Sequence, residues 1–260
     1  MDQLLTLAIQ AAVAAGNEIM KVYNEADFEI ELKSDNSPLT KADKAAHQII
    51  TSYLANTLPI LSEEGKAIPY EIRKNWGKYW LIDPLDGTKE FIKKNGEFTV
   101  NIALIDNKVP VLGVIFAPAI GWLYYADSNG AFRCPFHVSQ AAGNTLNLSQ
   151  AEKLPLQIEH NDYVVVGSRS HFNTETEIFV NTIDTQGKKL TMINKGSSLK
   201  LCFVATGEAD CYPRFGPTME WDIAAGHAIA SFAGKSITKP NGTAVSYNKE
   251  NLLSPFFIVK

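Results

Sequence analysis

Helical apolar spacing at the start of the chain, three strand-like runs joined by short connections in its middle, and helical patterns again after them predict a layered α+β fold. Strands grouped between helices argue against alternating βαβ units and for a mainly antiparallel sheet covered by helices. With 260 residues, 45% of them hydrophobic and 20% charged, the chain can bury a sizeable core without a disulfide or structural metal.

The elements follow in order. Over residues 4–23, Leu4, Ala8, Ala11, Ala15, Ile19 and Val22 recur at helical spacing and form one apolar stripe. Lys33 to Leu39 is rich in turn formers. Thr40-Lys41-Ala42-Asp43 then opens a helix with Ala46, Ile49, Ile50, Tyr53 and Leu54 on one face, where Asp43 reads as a first-turn acid suited to the helix dipole. Pro59-Ile60-Leu61 runs into Glu63-Glu64. Residues 79–82 read as a buried strand that Pro84 and Gly87 stop. The runs 98–105, 109–116 and 122–126, with Asp106-Asn107-Lys108 and 118–121 between them, predict an antiparallel meander.

From 133 to 151 the chain turns irregular, which places a boundary between a first half, 1–135, and a second, 136–260. The second half resumes with a strand at 163–166, ending in Gly167-Ser168-Arg169-Ser170-His171, and a helix over 174–183. Ser197 or Ser198 can cap a helix carrying Leu199, Cys202, Phe203 and Ala205 that Gly207 stops. Lys200 falls in its first turn, where a cation opposes the dipole and hints at an anionic ligand. A small-residue helix then runs through Ala233 to a stop at Gly234. Asp222 reads either as its N-cap or, beside Ala224-Ala225-Gly226, as an acid driven into a crowded interior.

Composition limits the function. A formal net charge of -4 with no basic stripe argues against nucleic acid or an anionic membrane as partner. Cys134, Cys202 and Cys211 lack CxxC spacing, which suits reduced, buried thiols. Neither a signal peptide nor an apolar run of membrane-span length is apparent, so a cytoplasmic protein is expected, with peripheral inner-membrane association left open. No obligate protein partner is evident.

The chemistry concentrates at Asp83-Pro84-Leu85-Asp86-Gly87-Thr88, where a buried strand runs into two carboxylates three residues apart. Such acids are costly to desolvate unless a cation pairs them, although a surface turn capped by Asp86 uses the same residues. Glu63 also follows an apolar stretch, so neighbouring strands could bring it to the same sheet edge as Asp83.

Taken together, SEEG, YWLIDPLDGTKEFI and WDIAAG closely resemble the signature of the magnesium-dependent, lithium-inhibited inositol monophosphatase superfamily. Within it NSPLTKAD, NGEFTVNIALI, GSSLK and YPRFGPT resemble the 3'(2'),5'-bisphosphate nucleotidase branch. The resemblance spans nearly the whole chain and implies an αβαβα layering. It further implies two Mg2+ ions, with a third site in some relatives, held by Glu63, Asp83, the Leu85 carbonyl, Asp86 and Asp222, with Asp83 bridging. Glu64 stands behind Glu63. Glu63, Asp43 and Thr88 would activate and orient a water, and Leu85, Asp86, Gly87, Thr88 and Asp222 would surround the phosphate. Gly196, Ser197, Ser198, Lys200 and Arg214 would line a nucleotide pocket, the two cations meeting the uncleaved phosphate; as bare residues both cations also read as surface charges.

The implied activity is hydrolysis of adenosine 3',5'-bisphosphate to AMP and phosphate by metal-activated water, with 3'-phosphoadenylyl sulfate as a further substrate of the branch. Inositol monophosphatase is the nearest alternative, and a nucleotide sensor without turnover is a third reading. A haloacid-dehalogenase-type phosphatase would need its acids two apart, not three. His171 and His227 have no partner motif and read as packing or loop residues.

Overall fold

The computed structural model describes residues 2–25, 31–32, 38–138, 147–168 and 173–260. The turn formers at 33–37, residues 139–146 of the irregular stretch, and Arg169, Ser170 and His171 lie outside the described residues. Helix α1 (Gln3–Tyr23) starts at Asp2, whose carboxylate accepts the Leu4 N–H at 2.9 Å. Next come β1 (Glu31–Leu32), β2 (Pro38–Leu39), α2 (Lys41–Leu54), β3 (Ile60–Ser62), α3 (Tyr70–Arg73), β4 (Lys78–Asp86) and α4 (Thr88–Ile92). The meander follows as β5 (Thr99–Asp106), β6 (Val109–Ala117), β7 (Trp122–Asp127), β8 (Gly130–Pro135) and β9 (Glu152–Lys153). The remainder is β10 (Asp162–Ser168), α5 (Thr174–Asn181), β11 (Lys189–Lys195), α6 (Leu199–Thr206), β12 (Tyr212–Arg214), α7 (Glu220–Phe232), β13 (Ile237–Thr238) and β14 (Phe257–Val259).

Strands β3 to β9 lie side by side in chain order in a seven-stranded sheet. Only the β3–β4 pair is parallel; the other pairs are antiparallel. The expected meander is present, and its tight β5–β6 turn has both Asn107 and Lys108 at positive φ, which matches the right-handed strand twist. Strand β8 was not expected. Its burial does not alternate strictly, and it is held by pairing with β7 and by Phe132 stacked on Tyr125, ring centroids 5.4 Å apart.

Alternation along β4 and β5 explains the layers. Trp80, Ile82, Val100, Ile102 and Leu104 face a core shared with α1 and α2, whereas Tyr79, Leu81, Ala103 and Ile105 face one shared with α6 and α7. In α2 the expected apolar face is narrower, since Tyr53 is 41% exposed while Ala42, Ala46, Ile50 and Leu54 are buried. Beyond α6 and α7, β10 pairs in parallel with β11 and bridges through Val165 and Cys211 to the β12-β14-β13 sheet. Val180 of α5 packs on Val165, Cys211 and Ile258 from the far side. The order helix, sheet, helix, sheet, helix is therefore the predicted αβαβα arrangement. All three cysteines are free and buried, as their spacing suggested.

Helix α7 lies unusually close to the large sheet because Gly113 leaves room for it. A Cβ at that position would come 2.3 Å from the Ala225 carbonyl oxygen and 2.9 Å from the Ala228 Cβ. Gly113→Ala should thus push α7 outward, destabilise the protein by about 1–3 kcal/mol and lower activity by displacing Asp222. A denaturation curve superimposable on wild type would refute this account of the contact.

Candidate active site

Strand β4 does not stop at Ile82 as Pro84 led us to expect; it continues to Asp86 through a bulge. Asp83 is opposite Asn101 and Asp86 is opposite Thr99, so β4 spends one residue more than β5 over that interval. Pro84 has no N–H to lose from the ladder there, and the Leu85 N–H turns to Asp83 Oδ1 at 3.0 Å. Gly87, at φ 92°, then swings the chain into α4.

Three carboxylates meet where the bulge faces α7. The parallel β3–β4 register sets Ser62 beside Ile82, and the Glu63 N–H donates to the Ile82 carbonyl at 3.1 Å, which carries Glu63 to the same edge as Asp83. Asp83 has the parity of Tyr79 and Leu81 and therefore points to the α7 side. Asp222 arrives from α7 itself. It is not the N-cap: the helix begins at Glu220, and Asp222 sits inside the first turn with its carboxylate accepting the Met219 N–H at 2.9 Å. One carboxylate oxygen from each of Glu63, Asp83 and Asp222 lies within 4.8 Å of the others. Burial first, and then the charges of Glu63, Asp86 and Asp222, hold the Asp83 carboxyl well above the usual carboxylate range; burial and Asp86 do the same to Asp222. An all-oxygen cluster in which Asp83 and Asp222 resist ionising fits a hard divalent cation.

Asp86 takes a different place. It lies outside that trio, and its Oδ2 accepts from Ser197 Oγ at 2.7 Å, the Ser198 N–H at 2.6 Å and Asn101 Nδ2 at 3.5 Å. The two serines predicted to cap α6 are thereby explained. Ser198 occupies the N-cap position without a side-chain cap bond, because its hydroxyl goes to Asn101 Oδ1 at 2.8 Å.

Asp43 both caps and reaches the site. Its Oδ2 accepts from the Thr40 N–H at 2.7 Å and Thr40 Oγ1 at 2.6 Å, closing the capping box of α2, while its Oδ1 accepts from Thr88 Oγ1 at 3.2 Å. Thr88 Oγ1 also lies 3.4 Å from the Leu85 carbonyl. Of the residues expected at the site, Asp43 alone is absent from the cavity wall and acts from behind Thr88.

The other expected residues line one cavity of about 310 Å³. Lys200, whose first-turn position hinted at an anionic ligand, lines the cavity and is not a surface charge. It is buried, and its Nζ donates to the carbonyls of Lys195 at 3.2 Å and Ser197 at 2.5 Å. Burial pulls its pKa down to about 8, against the opposing pull of Asp86. Arg214 is held by Thr218 Oγ1 at 2.6 Å and the Pro217 carbonyl at 2.7 Å. Sequence reasoning missed Ser168, Tyr212 and Thr218 on the wall and Glu97, Thr99 and Asn101 behind it. The alternating polar positions 99 and 101 at the head of an otherwise apolar strand were the available signal. His227 packs as expected: its Nδ1 is 2.9 Å from the Tyr247 hydroxyl, and burial holds its pKa at about 4.

With this geometry in view, comparison with known proteins is decisive, for the profile of the inositol monophosphatase family matches residues 1–255. The chain belongs to the inositol monophosphatase family. The family is metal-dependent, in keeping with the acidic trio. Among characterised members, the 3'(2'),5'-bisphosphate nucleotidase CysQ of Escherichia coli (strain K12) is 42% identical across 98% of this chain and 99% of its own length. The enzyme of that name from Haemophilus influenzae is 35% identical across 99% and 93%. The crystal structure of CysQ from Bacteroides thetaiotaomicron superposes with a TM-score of 0.89 at 46% identity, covering 98% of this chain and 96% of that one. A more distant member, the Thermotoga maritima IMPase, shares the fold with a TM-score of 0.74 at 23% identity. Among the described residues, no helix of this family member is long and apolar enough to cross a membrane.

Proposed function

We propose that the chain is a Mg2+-dependent bisphosphate nucleotidase that hydrolyses the 3'-phosphate of adenosine 3',5'-bisphosphate, releasing AMP and phosphate. One observation carries the reading: a single cavity is lined both by the Glu63, Asp83 and Asp222 carboxylates and by the cations Lys200 and Arg214. A phosphomonoester with a second phosphate uses both the acids, through a cation, and the two basic side chains; an inositol monophosphate needs only the acids. The nucleotidase names of the relatives support the same choice.

Glu63, Asp83, the Leu85 carbonyl, Asp86 and Asp222 are the oxygens that would hold Mg2+, two ions being the number we propose. Bound there, Mg2+ would neutralise phosphate charge and lower the pKa of water. The protein does the rest. Thr88 donates its hydroxyl hydrogen bond to Asp43, so its lone pairs accept a hydrogen bond from one proton of the attacking water while Glu63 takes the other as general base, and the departing 3'-oxygen is protonated from solvent. The backbone N–H groups of Gly87 and Thr88 bind the oxygens of the scissile phosphate. Gly196, Ser197 and Ser198 form the floor under the nucleotide, with Lys200 as a point charge and Arg214 as a planar fork for the phosphate that stays. Labour is thus divided between residues 1–135, with most cation ligands, and 136–260, with the substrate pocket and Asp222.

The test is phosphate release from adenosine 3',5'-bisphosphate and from inositol 1-phosphate in parallel, with Mg2+ and with or without Li+. The expected result is a bisphosphate preference of about 10- to 100-fold in kcat/KM, as one charged hydrogen-bonded contact provides, together with inhibition by Li+. A preference for the inositol ester would overturn the proposal.

A further inference from the structure

The loop that floors the pocket is held by the opposite half of the protein. Residue Thr99 of β5 is fully buried and outside the cavity, yet its Oγ1 lies 2.6 Å from Ser197 Oγ, 2.7 Å from Ser198 Oγ and 3.0 Å from Asn101 Oδ1. Proton counting gives this cluster a direction. Asp86 Oδ2 and Asn101 Oδ1 can only accept, and each hydroxyl has one proton to give. Ser197 donates to Asp86 at 2.7 Å and Ser198 donates to Asn101 at 2.8 Å, so both serine oxygens are left as acceptors towards Thr99. The Thr99 hydroxyl has one proton for three acceptors within reach, Ser197 Oγ, Ser198 Oγ and Asn101 Oδ1, so it donates to one of them at a time, from the strand that also pairs with Asp83 and Asp86.

The loop needs such a fastening. Ser197 is at φ 51°, a left-handed conformation that residues with a side chain seldom adopt, and its carbonyl is an acceptor for Lys200 Nζ. Without the Thr99 hydroxyl the Ser197 side chain is held by Asp86 alone, and any shift of its backbone takes the Lys200 ammonium with it. The hydrogen-bond partners of Thr99 Oγ1 are Ser197, Ser198 and Asn101, none of them in the acid trio.

We infer that Thr99 is a positioning residue for substrate discrimination: it fixes the 196–198 floor, and through the Ser197 carbonyl the Lys200 cation, at a set distance from the acidic wall. This rests on the bisphosphate reading above. The consequence is specific to the phosphate that is not cleaved.

Steady-state kinetics of Thr99→Val, which keeps the shape without the hydroxyl, and of Thr99→Ser, which keeps the hydroxyl, test it on adenosine 3',5'-bisphosphate and on 3'-AMP, which lacks the second phosphate. Thr99→Val should raise KM for the bisphosphate about tenfold, the scale of one buried hydrogen bond, leave kcat within about threefold, and move KM for 3'-AMP far less. Thr99→Ser should restore the wild-type values, and Thr99→Ala, which also lacks the hydroxyl, should give the same KM pattern and stands in for Thr99→Val should that protein fail to fold. A fall in kcat shared by both substrates at constant KM would overturn the inference, as would unchanged kinetics. Should wild type prefer the inositol ester, the functional reading falls by itself; the inference about Thr99 is judged separately, by whether Thr99→Val shifts KM for the bisphosphate more than KM for 3'-AMP.

Discussion

Asp83→Asn should release no measurable phosphate, a loss of about 10³-fold or more, and yet melt at a higher temperature than wild type when divalent cations are chelated. Asp83 is 1% exposed and shares its surroundings with three further carboxylates, so its ionised form is disfavoured in the native state and not in the unfolded one. A carboxyl with a raised native pKa contributes stability that is complete below the unfolded pKa, about 4, and is lost as pH rises through the native value. The metal-free wild type should therefore weaken on going from pH 4 upward. An amide removes the charge while its oxygen can still accept the Leu85 N–H that shapes the bulge, so the fold keeps its local geometry. Each kcal/mol of repulsion relieved should appear as roughly 2–4 °C in Tm.

Adding Mg2+ separates the two proteins again. Wild type should gain Tm by mass action as the cation replaces the protons of the cluster, and Asp83→Asn should gain little. Differential scanning fluorimetry across pH, with chelator or Mg2+, reads both effects. Turnover by Asp83→Asn, or a chelated variant that melts below wild type, would show that Asp83 is a structural acid and not the centre of a cation site.

Periodicity made the layers legible before any coordinates. The α1 stripe carries helical spacing, the three central runs are set off by short connections, and α7 shows as a small-residue run stopped by Gly234. Shorter pieces were hidden for a physical reason: β12, β13 and β14 are two or three residues long and exist through pairing with one another, not through their own propensity. The site shows the same division. Asp83 and Asp86 stand out as acids at the end of an apolar strand, but spacing cannot tell a stopped strand from a bulged one, and the bulge is what sends Asp83 to α7 and Asp86 to the serines. Lys200 was legible as a cation in the wrong place on a helix. What it does was not, since its partners are carbonyls of the preceding loop, and a carbonyl has no signature in the sequence. Thr99 was the hardest to see: a threonine in a strand is ordinary, and its value comes from two serines about a hundred residues away.

Asp43 offers the sharpest separation of stability from catalysis, because its two oxygens serve different ends. Oδ2 closes the α2 cap with Thr40, and Oδ1 takes the Thr88 proton. In Asp43→Asn the amide oxygen can still accept from Thr40, so the cap survives and unfolding free energy should change by less than about 1 kcal/mol. The amide nitrogen then faces Thr88, and the bond between them reverses. The threonine oxygen becomes an acceptor from the amide, and its own proton turns towards the cavity, where it meets the lone pairs of a water instead of its proton. Such a water is presented the wrong way round for attack, and kcat should fall by about 10²- to 10⁴-fold, the usual weight of positioned proton handling, while KM stays within about threefold of wild type. Asp43→Ala should lose the same activity and about 1–2 kcal/mol of stability besides, since the cap goes as well. Thr88→Ser should retain activity and Thr88→Val should match Asp43→Asn. The decisive comparison is urea denaturation set beside kcat for the two Asp43 variants: equal stability losses, or near-normal turnover by Asp43→Asn, would reduce Asp43 to a helix cap and leave Thr88 without an assigned orientation.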